Sequence, residues 1–214
     1  MKANHLYMAA LFAASIAALS MDVQRPLAGI TNTIVSCAVA LFSLNPTGCI
    51  APAISTILQA FTGIFQQGGA GQVGTTKVKR DELKVTGMDG QEMASMGELP
   101  PGVRGKVEIN GVEMMVQKYQ SGMIGWGVAI PTSGDALNRR DEALEIWGIG
   151  SAGMDGQVSP TQEEYQQMAM KVAQSFERGG GVACSTVKDG EKKVFKIKWV
   201  VQPGGGNPGA ETCD

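Results

Sequence analysis

The sequence predicts an α+β fold, in which an N-terminal hydrophobic helical hairpin precedes a small antiparallel-sheet domain covered by one amphipathic helix. Three observations lead to this prediction. Residues 26–76 contain no Asp, Glu, Lys or Arg, apolar residues recur at helical spacing within 159–178, and apolar and polar residues alternate in 106–118 and 192–202. The first pattern is typical of helices hidden from water, the second of a surface helix and the third of half-buried strands.

Residues 1–20 have the three-part plan of a secretory signal. A short cationic start at Lys2 is followed by an apolar run and then by the small-residue end Ala18-Leu19-Ser20. We expect cleavage after Ser20, and hence an exported, periplasmic or cell-surface protein that is associated with a membrane. An uncleaved anchor helix is the alternative, because neighbouring residues could extend the short apolar run.

Residues 21–66, which carry no charged residue from Pro26 onward, are predicted to form the helical hairpin. Two segments carry bulky apolar residues at helical spacing, and Asn45-Pro46 with Gly48 is expected to break the chain between them. The residues predicted to pack against a membrane or against other copies are Ile30, Ile34 and Leu41 in the first helix and Ile50, Ile54, Ile57, Leu58, Phe61, Ile64 and Phe65 in the second.

This hairpin determines the predicted partners. A soluble hairpin normally exposes some charge, so we expect residues 27–66 to be covered by membrane lipid, by copies of the same chain, or by other proteins of an assembly. The alternative is a hairpin docked on the later domain. The formal net charge of −2 is too small to favour binding to nucleic acid.

A flexible linker is predicted at residues 67–101, followed by an α+β head at 102–202 and a Pro/Gly-rich tail at 203–214. The clearest hairpin signal is Asn110-Gly111 between two alternating segments, since this pair suits a tight type I′ turn. The segment "MIGWGVAIP" is expected to be a third strand, and a second hairpin is expected around Asp189-Gly190.

One amphipathic helix is predicted between the two hairpins. Ser159 is the expected N-cap, Pro160 suits the first helical position, and Gln162 stands where a capping-box partner would. The apolar stripe of this helix is Tyr165, Met168, Ala169, Val172, Ala173 and Phe176.

Four cysteines form an even set, which in an exported chain favours two disulfides. Local pairing would join Cys37 to Cys49 and Cys184 to Cys213, although sequence alone permits three pairings. A lipidated Cys37 is a further possibility that we consider weak, because apolar residues follow it where a polar tether is expected.

Gly148, Gly150 and Gly153 spell a dinucleotide-binding fingerprint, and Asp155 lies in a segment similar to part of a calcium loop. The fingerprint requires a helix to begin within it, but Pro160 delays the helix. The calcium loop would retain a single carboxylate where several are required. We therefore interpret glycines 148–156 as a mobile turn.

No catalytic, cofactor-binding or metal-binding residue is predicted. The only histidine is His5, within the expected signal, so the mature chain lacks the histidine on which most triads and zinc sites depend. An enzyme that uses carboxylates alone remains a weaker hypothesis.

The predicted function is that of a non-catalytic, membrane-associated structural or assembly subunit of an envelope or surface assembly, such as a filament, a secretion channel or a virion membrane. The alternative is a membrane-anchored extracytoplasmic module that recognises a protein or polymer through its α+β head.

Overall fold

The fold is dominated by one large antiparallel sheet. The computed structural model describes residues 19–27, 46–67, 74–77, 79, 82–93, 95–109, 111–131, 143–151, 159–177, 181–209 and 213. Within these residues the strands are β1 (Leu19–Leu27), β2 (Ile64–Gln67), β3 (Gly74–Lys77), β4 (Val85–Gly87), β5 (Glu92–Met93), β6 (Arg104–Ile109), β7 (Val112–Lys118), β8 (Met123–Pro131), β9 (Ala143–Ser151), β10 (Val182–Asp189) and β11 (Lys192–Pro203). The α-helices are α1 (Pro46–Thr62) and α2 (Gln162–Glu177), and a 3₁₀ turn spans Met96–Glu98.

Nine of these strands form the main sheet, in the order β1-β10-β11-β9-β8-β7-β6-β4-β5. Every neighbouring pair is antiparallel. Strands β2 and β3 form a separate two-stranded sheet. The N-terminal strand β1 therefore lies at one edge of the main sheet, beside a strand from the end of the chain.

The strands of the predicted head follow from their alternating side chains. The hairpin β6–β7 pairs Ile109 with Val112 and turns through Gly111, whose φ of +77° favours glycine. Strand β8 coincides with the predicted third strand, and the β10–β11 hairpin turns at Gly190, where φ is +60°. These strand predictions are confirmed.

Both helices pack on the same side of the sheet and against each other. The predicted apolar stripe of α2 is buried throughout. The core between helices and sheet includes Trp126, Trp199, Ile57 and Phe61. We call this side of the sheet the helical face and the opposite side the open face.

The predicted fold class is wrong, because the described residues form mostly one large antiparallel sheet with two helices and not a helical hairpin followed by a small α+β head. Residues 19–27 form β1 and pair with β10, so no apolar helical hairpin begins there. Pro46, expected to break the chain, is instead the first residue of α1. Proline suits that position because its φ fits a helix and its missing N–H would have no partner there.

The apolar stripe of α1 is buried by the chain itself. Its residues pack on α2 and on strands β8 and β9, and they are Ile50, Ile54, Ile57, Leu58 and Phe61. Ile64 and Phe65, expected in the same helix, are buried in β2. Ile30, Ile34 and Leu41 lie outside the described residues. Contact of Ile30, Ile34 and Leu41 with lipid or with other copies stays a prediction.

Two further local predictions are corrected. Glycines 148 and 150 belong to β9 and do not form a mobile turn; residues 152–158 lie outside the described part. Helix α2 is capped by Thr161, whose Oγ1 accepts a hydrogen bond from Glu164 N–H at 3.3 Å, while Glu164 Oε2 accepts one from Thr161 N–H at 2.7 Å. This is a capping box shifted two residues from the predicted Ser159–Gln162 pair.

Residues 85–93, within the predicted linker, contribute β4 and β5 to the main sheet. In the described residues, neither helix has the length and apolar character that crossing a membrane requires.

Candidate functional site

The open face carries a buried polar cluster centred on Glu145. Along β9, Leu144 and Ile146 belong to the core on the helical face, so the alternate residues Glu145 and Trp147 point to the open face. Both are almost inaccessible to solvent. A buried carboxylate has to be paired or hydrogen-bonded, so its partners define the site.

Glu145 has four such partners. Its Oε2 accepts hydrogen bonds from Trp147 Nε1 at 2.9 Å and from Gln202 Nε2 at 3.3 Å. Its Oε1 accepts one from the Gly205 N–H at 2.9 Å. Arg104 Nη1 lies 3.5 Å from Oε2 and forms a partly buried salt bridge. Both carboxylate oxygens are therefore occupied, which favours a structural role over acid–base chemistry.

Arg104 links three parts of the chain. Its guanidinium lies 4.9 Å from the centre of the Trp147 ring, donates through Nε to Gln117 Oε1 at 3.2 Å, and donates through Nη2 to the Gly206 carbonyl. A planar guanidinium can stack on an indole and pair with a carboxylate at the same time, which a lysine ammonium cannot reproduce.

The Trp147 ring is enclosed by a second apolar cluster on the open face. Gly127 lies directly opposite Trp147 in the β8–β9 register, and a Cβ at position 127 would meet the ring at 2.8 Å. The other members of this cluster are Met115, Tyr119, Ile149 and Val200, with Met123 and Val182 at its margin.

Tyr119 closes one side of this cluster. Burial raises the pKa of its phenol to about 12, and the nearby charge of Arg104 offsets part of that rise. Among the described residues, neither the Tyr119 hydroxyl nor the indole N–H of Trp126 has a hydrogen-bond partner.

Residues 204–209 and 213 lie on the open face, and we call them the strap. Gly205 and Gly206 join the Glu145 cluster, and a disulfide joins Cys213 to Cys184 on β10. Lys196 Nζ also donates to the Cys213 carbonyl at 3.1 Å. The structure thus contains the Cys184–Cys213 bond that local pairing predicts, whereas Cys37 lies outside the described residues and its pairing with Cys49 stays a prediction.

A pocket of about 200 Å³ lies beside the strap and is lined by Met123, Ile149, Gly150, Ser151, Lys196, Lys198 and Cys213. Within the described part of the chain, no group of three or more His, Cys, Asp or Glu side chains could hold a metal ion.

Residues 124–214 match the family model described as "Salt-mediated killer protoxin 1, beta subunit". Salt-mediated killer protoxin 1 of Millerozyma farinosa is 35% identical to this chain over 169 residues, covering 78% of this chain and 76% of that protein. This chain belongs to the salt-mediated killer protoxin family. No solved structure matches it.

Membership of the killer protoxin family supports the predicted export of the chain, and the Cys184–Cys213 bond agrees with it. The names of the family and of the relative describe a toxin precursor and a subunit, and they mention neither an enzyme nor a membrane assembly. The beta-subunit match contains Glu145, Trp147 and the strap, whereas Arg104 and Tyr119 precede it.

Neither periodicity nor a motif in the sequence indicates the members of the Glu145 cluster. Arg104 and Glu145 are far apart in the chain and belong to no motif, so only the sheet order brings them together. The two Trp-Gly dipeptides, at residues 126–127 and 147–148, are a weak indication that the strands containing them pack against each other.

Proposed function

We propose that this chain is the precursor of a secreted killer toxin and that it is cut into subunits during maturation. The words "protoxin" and "beta subunit" in the names of its relatives support this proposal. Membership of the family makes the same maturation the simplest expectation for this chain.

Two pairs of basic residues provide candidate cleavage sites. Lys79-Arg80 and Arg139-Arg140 are each followed by Asp-Glu, and paired basic residues are a common signal for processing proteases of the secretory pathway. Lys79 is exposed, as a cleavage site must be. The second pair lies near the beginning of the range that matches the beta subunit.

The sheet order is the observation that carries this proposal. Cuts after Arg80 and Arg140 would divide the chain into an N-terminal segment, a middle segment (81–140) and a C-terminal segment (141–214). The middle segment contains β4 to β8, which form one continuous end of the sheet, while β1, β10, β11 and β9 form the other end. Both helices belong to the second group. Two cuts would therefore separate the sheet at the single boundary between β8 and β9.

The N-terminal and C-terminal segments have enough contacts to stay together as two subunits. After cleavage at the expected signal site, β1 still pairs with β10 from Met21 opposite Val187 to Leu27 opposite Val182, and Met21 is buried in the core. Helices α1 and α2 pack side by side, and the hydroxyls of Thr62 and Tyr165 are hydrogen-bonded at 2.5 Å. The Cys184–Cys213 disulfide lies within the C-terminal segment, so these contacts hold the subunits together without it.

Residues 27–66 contain no charged residue. The apolar stripe of α1 and the side chains of Ile64 and Phe65 are buried within the chain, so contact with lipid, with other copies or with other proteins of an assembly is kept as a proposal for residues 28–45.

The test is secretion of the full chain from a yeast host, followed by intact mass spectrometry and a killing assay on indicator cells with and without added salt. We expect polypeptides whose boundaries lie at the basic pairs, with the N-terminal and C-terminal segments co-eluting. Replacing Arg80 and Arg140 by Ala should leave one chain and abolish killing.

The matched control is Lys192→Ala, which alters another exposed pair of basic residues, Lys192-Lys193, at the start of β11. It should be processed and should kill like the native chain. Secretion of a single uncut chain that kills as well as any cut form would refute the proposal. Met21→Lys provides a second check, since a charge in the core should weaken association of the two subunits.

A further inference from the structure

We propose that Arg104 is an autoinhibitory latch, which holds the middle segment over the Glu145–Trp147 surface of the C-terminal segment even after the chain is cut. This inference rests on the proposed function and names the contact that regulates it. Release of the middle segment, and not cleavage alone, would then uncover the active surface.

Most contacts of Arg104 are made with the C-terminal segment, across the boundary between the middle and C-terminal segments. Of its four described partners, Glu145, Trp147 and the Gly206 carbonyl belong to the C-terminal segment, and Gln117 alone belongs to the middle segment. The side chains of Arg104 and Glu145 are 18% and 7% exposed. Ion pairs that are this well shielded are screened by salt much less than exposed pairs.

The surface beneath the latch is apolar and aromatic. Trp147 is fully buried in the intact chain, and its cover includes Arg104, Met115 and Tyr119, all from the middle segment. Loss of this segment would leave Trp147 beside Ile149 and Val200, the members of the cluster that remain. An exposed patch of this kind marks an interaction surface.

The middle segment would dissociate slowly after its two ends are cut. Strands β8 and β9 are paired along their whole lengths, from Met123 opposite Ser151 to Pro131 opposite Ala143. The latch fastens β6, two strands further from the boundary, to the same surface. Because the latch and the strand ladder act together, removing the latch should make release faster without preventing folding.

Release also changes the charge of the site. Glu145 would lose its only described cation but keep its hydrogen bonds from Trp147, Gln202 and Gly205. The uncovered surface would therefore present a negative charge beside an indole ring, held in place by the strap.

The experiment uses the full chain with the site of a sequence-specific protease inserted after residues 80 and 140, so that cutting does not depend on natural processing. After cutting, release of the middle segment is followed by size-exclusion chromatography over a series of urea concentrations. We expect the native middle segment to co-elute in the absence of urea. Arg104→Ala should release it roughly tenfold faster, because truncating one member of a shielded charge pair mainly raises the dissociation rate.

Three further variants separate a latch from general destabilisation. Glu145→Gln should also speed release, while Arg104→Lys should be intermediate because it keeps the charge but not the stacking. Lys106→Ala is the matched control on the same strand. It removes an exposed ion pair with Glu113 that lies wholly within the middle segment, and it should release like the native chain.

Tryptophan fluorescence gives an independent reading. Trp126 on β8 is also fully buried and belongs to the middle segment, so the emission is followed in a Trp126→Phe background. Release should shift it to longer wavelength as Trp147 meets water, and adding Trp147→Phe should abolish most of that shift. Immediate loss of the native middle segment on cutting, or equal release from Arg104→Ala and Lys106→Ala, would overturn the latch. A latch that behaves as expected in a chain that never kills would overturn the proposed function and leave the latch standing.

Discussion

At the scale of single residues, small and large side chains alternate across the β8–β9 pair. Trp126 faces Gly148 in the register, and Trp147 faces Gly127 on the opposite side of the sheet. A Cβ at Gly148 would meet Ile57 at 2.7 Å and Trp199 at 3.0 Å. The glycine fingerprint that suggests a nucleotide site in the sequence is therefore explained by packing, because two of its glycines make room for bulky neighbours.

We expect Gly127→Ala to lower the free energy of unfolding by roughly 1–3 kcal/mol, the usual effect of inserting a methyl group into a well-packed core. The added Cβ would press on the Trp147 ring, which is held by Glu145 and Arg104 and cannot easily move aside. Urea denaturation measures the change. Gly97→Ala is the control, since position 97 is exposed and the nearest atom is Ser95 Oγ at 3.3 Å; equal effects at both positions would contradict the packing argument.

A second residue, Tyr165, makes stability depend on pH. Burial raises the pKa of its phenol to about 12, an effect offset in part by the hydrogen bond with Thr62 and reinforced slightly by Glu164. A tyrosine titrates near 10 in an unfolded chain. Its contribution is therefore fully present below pH 10 and is lost as the pH rises from 10 toward 12, because only the unfolded chain gives up the proton in that window.

Tyr165→Phe should accordingly flatten the dependence of stability on pH between 10 and 12, while lowering stability at neutral pH through loss of the hydrogen bond. Each unit of pKa difference corresponds to about 1.4 kcal/mol. Thermal unfolding at a series of pH values measures both effects. Tyr119→Phe is a useful comparison, because its pKa is also raised to about 12 but its hydroxyl has no described partner. An unchanged slope in both variants would show that other groups govern alkaline unfolding.

At the scale of elements, periodicity predicted the faces of the helices better than their ends. The stripe of α2 was recognised completely, yet "SPTQEE" contains two possible capping boxes, Ser159 with Gln162 and Thr161 with Glu164. Local sequence does not distinguish them. The structure uses the second, with reciprocal hydrogen bonds between Thr161 and Glu164.

Thr161→Ala should destabilise the protein by about 1 kcal/mol, as is typical for loss of an N-cap side chain. Ser159→Ala should change stability very little, because Ser159 is exposed and lies outside the helix. Chemical denaturation of the two variants side by side measures the difference. A larger loss in Ser159→Ala would mean that the helix begins where the sequence pattern first suggested.

Strand β1 shows why another element could not be predicted. Residues 19–27 follow a signal-like segment and contain Pro26, and their alternation is too short to indicate a strand. Their conformation is set by pairing with β10, which is distant in the chain. Non-local pairing of this kind leaves little trace in the local sequence.

At the scale of the whole molecule, the uncharged stretch indicated correctly that α1 is hidden from water, but not what hides it. The composition of a segment predicts whether it must be buried, but not what buries it. Lipid, another copy of the chain and the chain's own sheet are therefore equally consistent with an uncharged stretch. The Glu145 cluster depends in the same way on a sheet order that joins β6, β9 and the strap. The candidate site could therefore be found in the fold and not in the sequence.

In the described residues of the strap, the contacts with Arg104 and Glu145 are made by main-chain atoms, the N–H of Gly205 and the carbonyl of Gly206. Contacts of this kind do not depend on side-chain identity, although the φ of +81° at Gly205 still demands glycine. Substitution of the outward-facing side chains among residues 204–209, other than at Gly205, should therefore leave this backbone clasp in place.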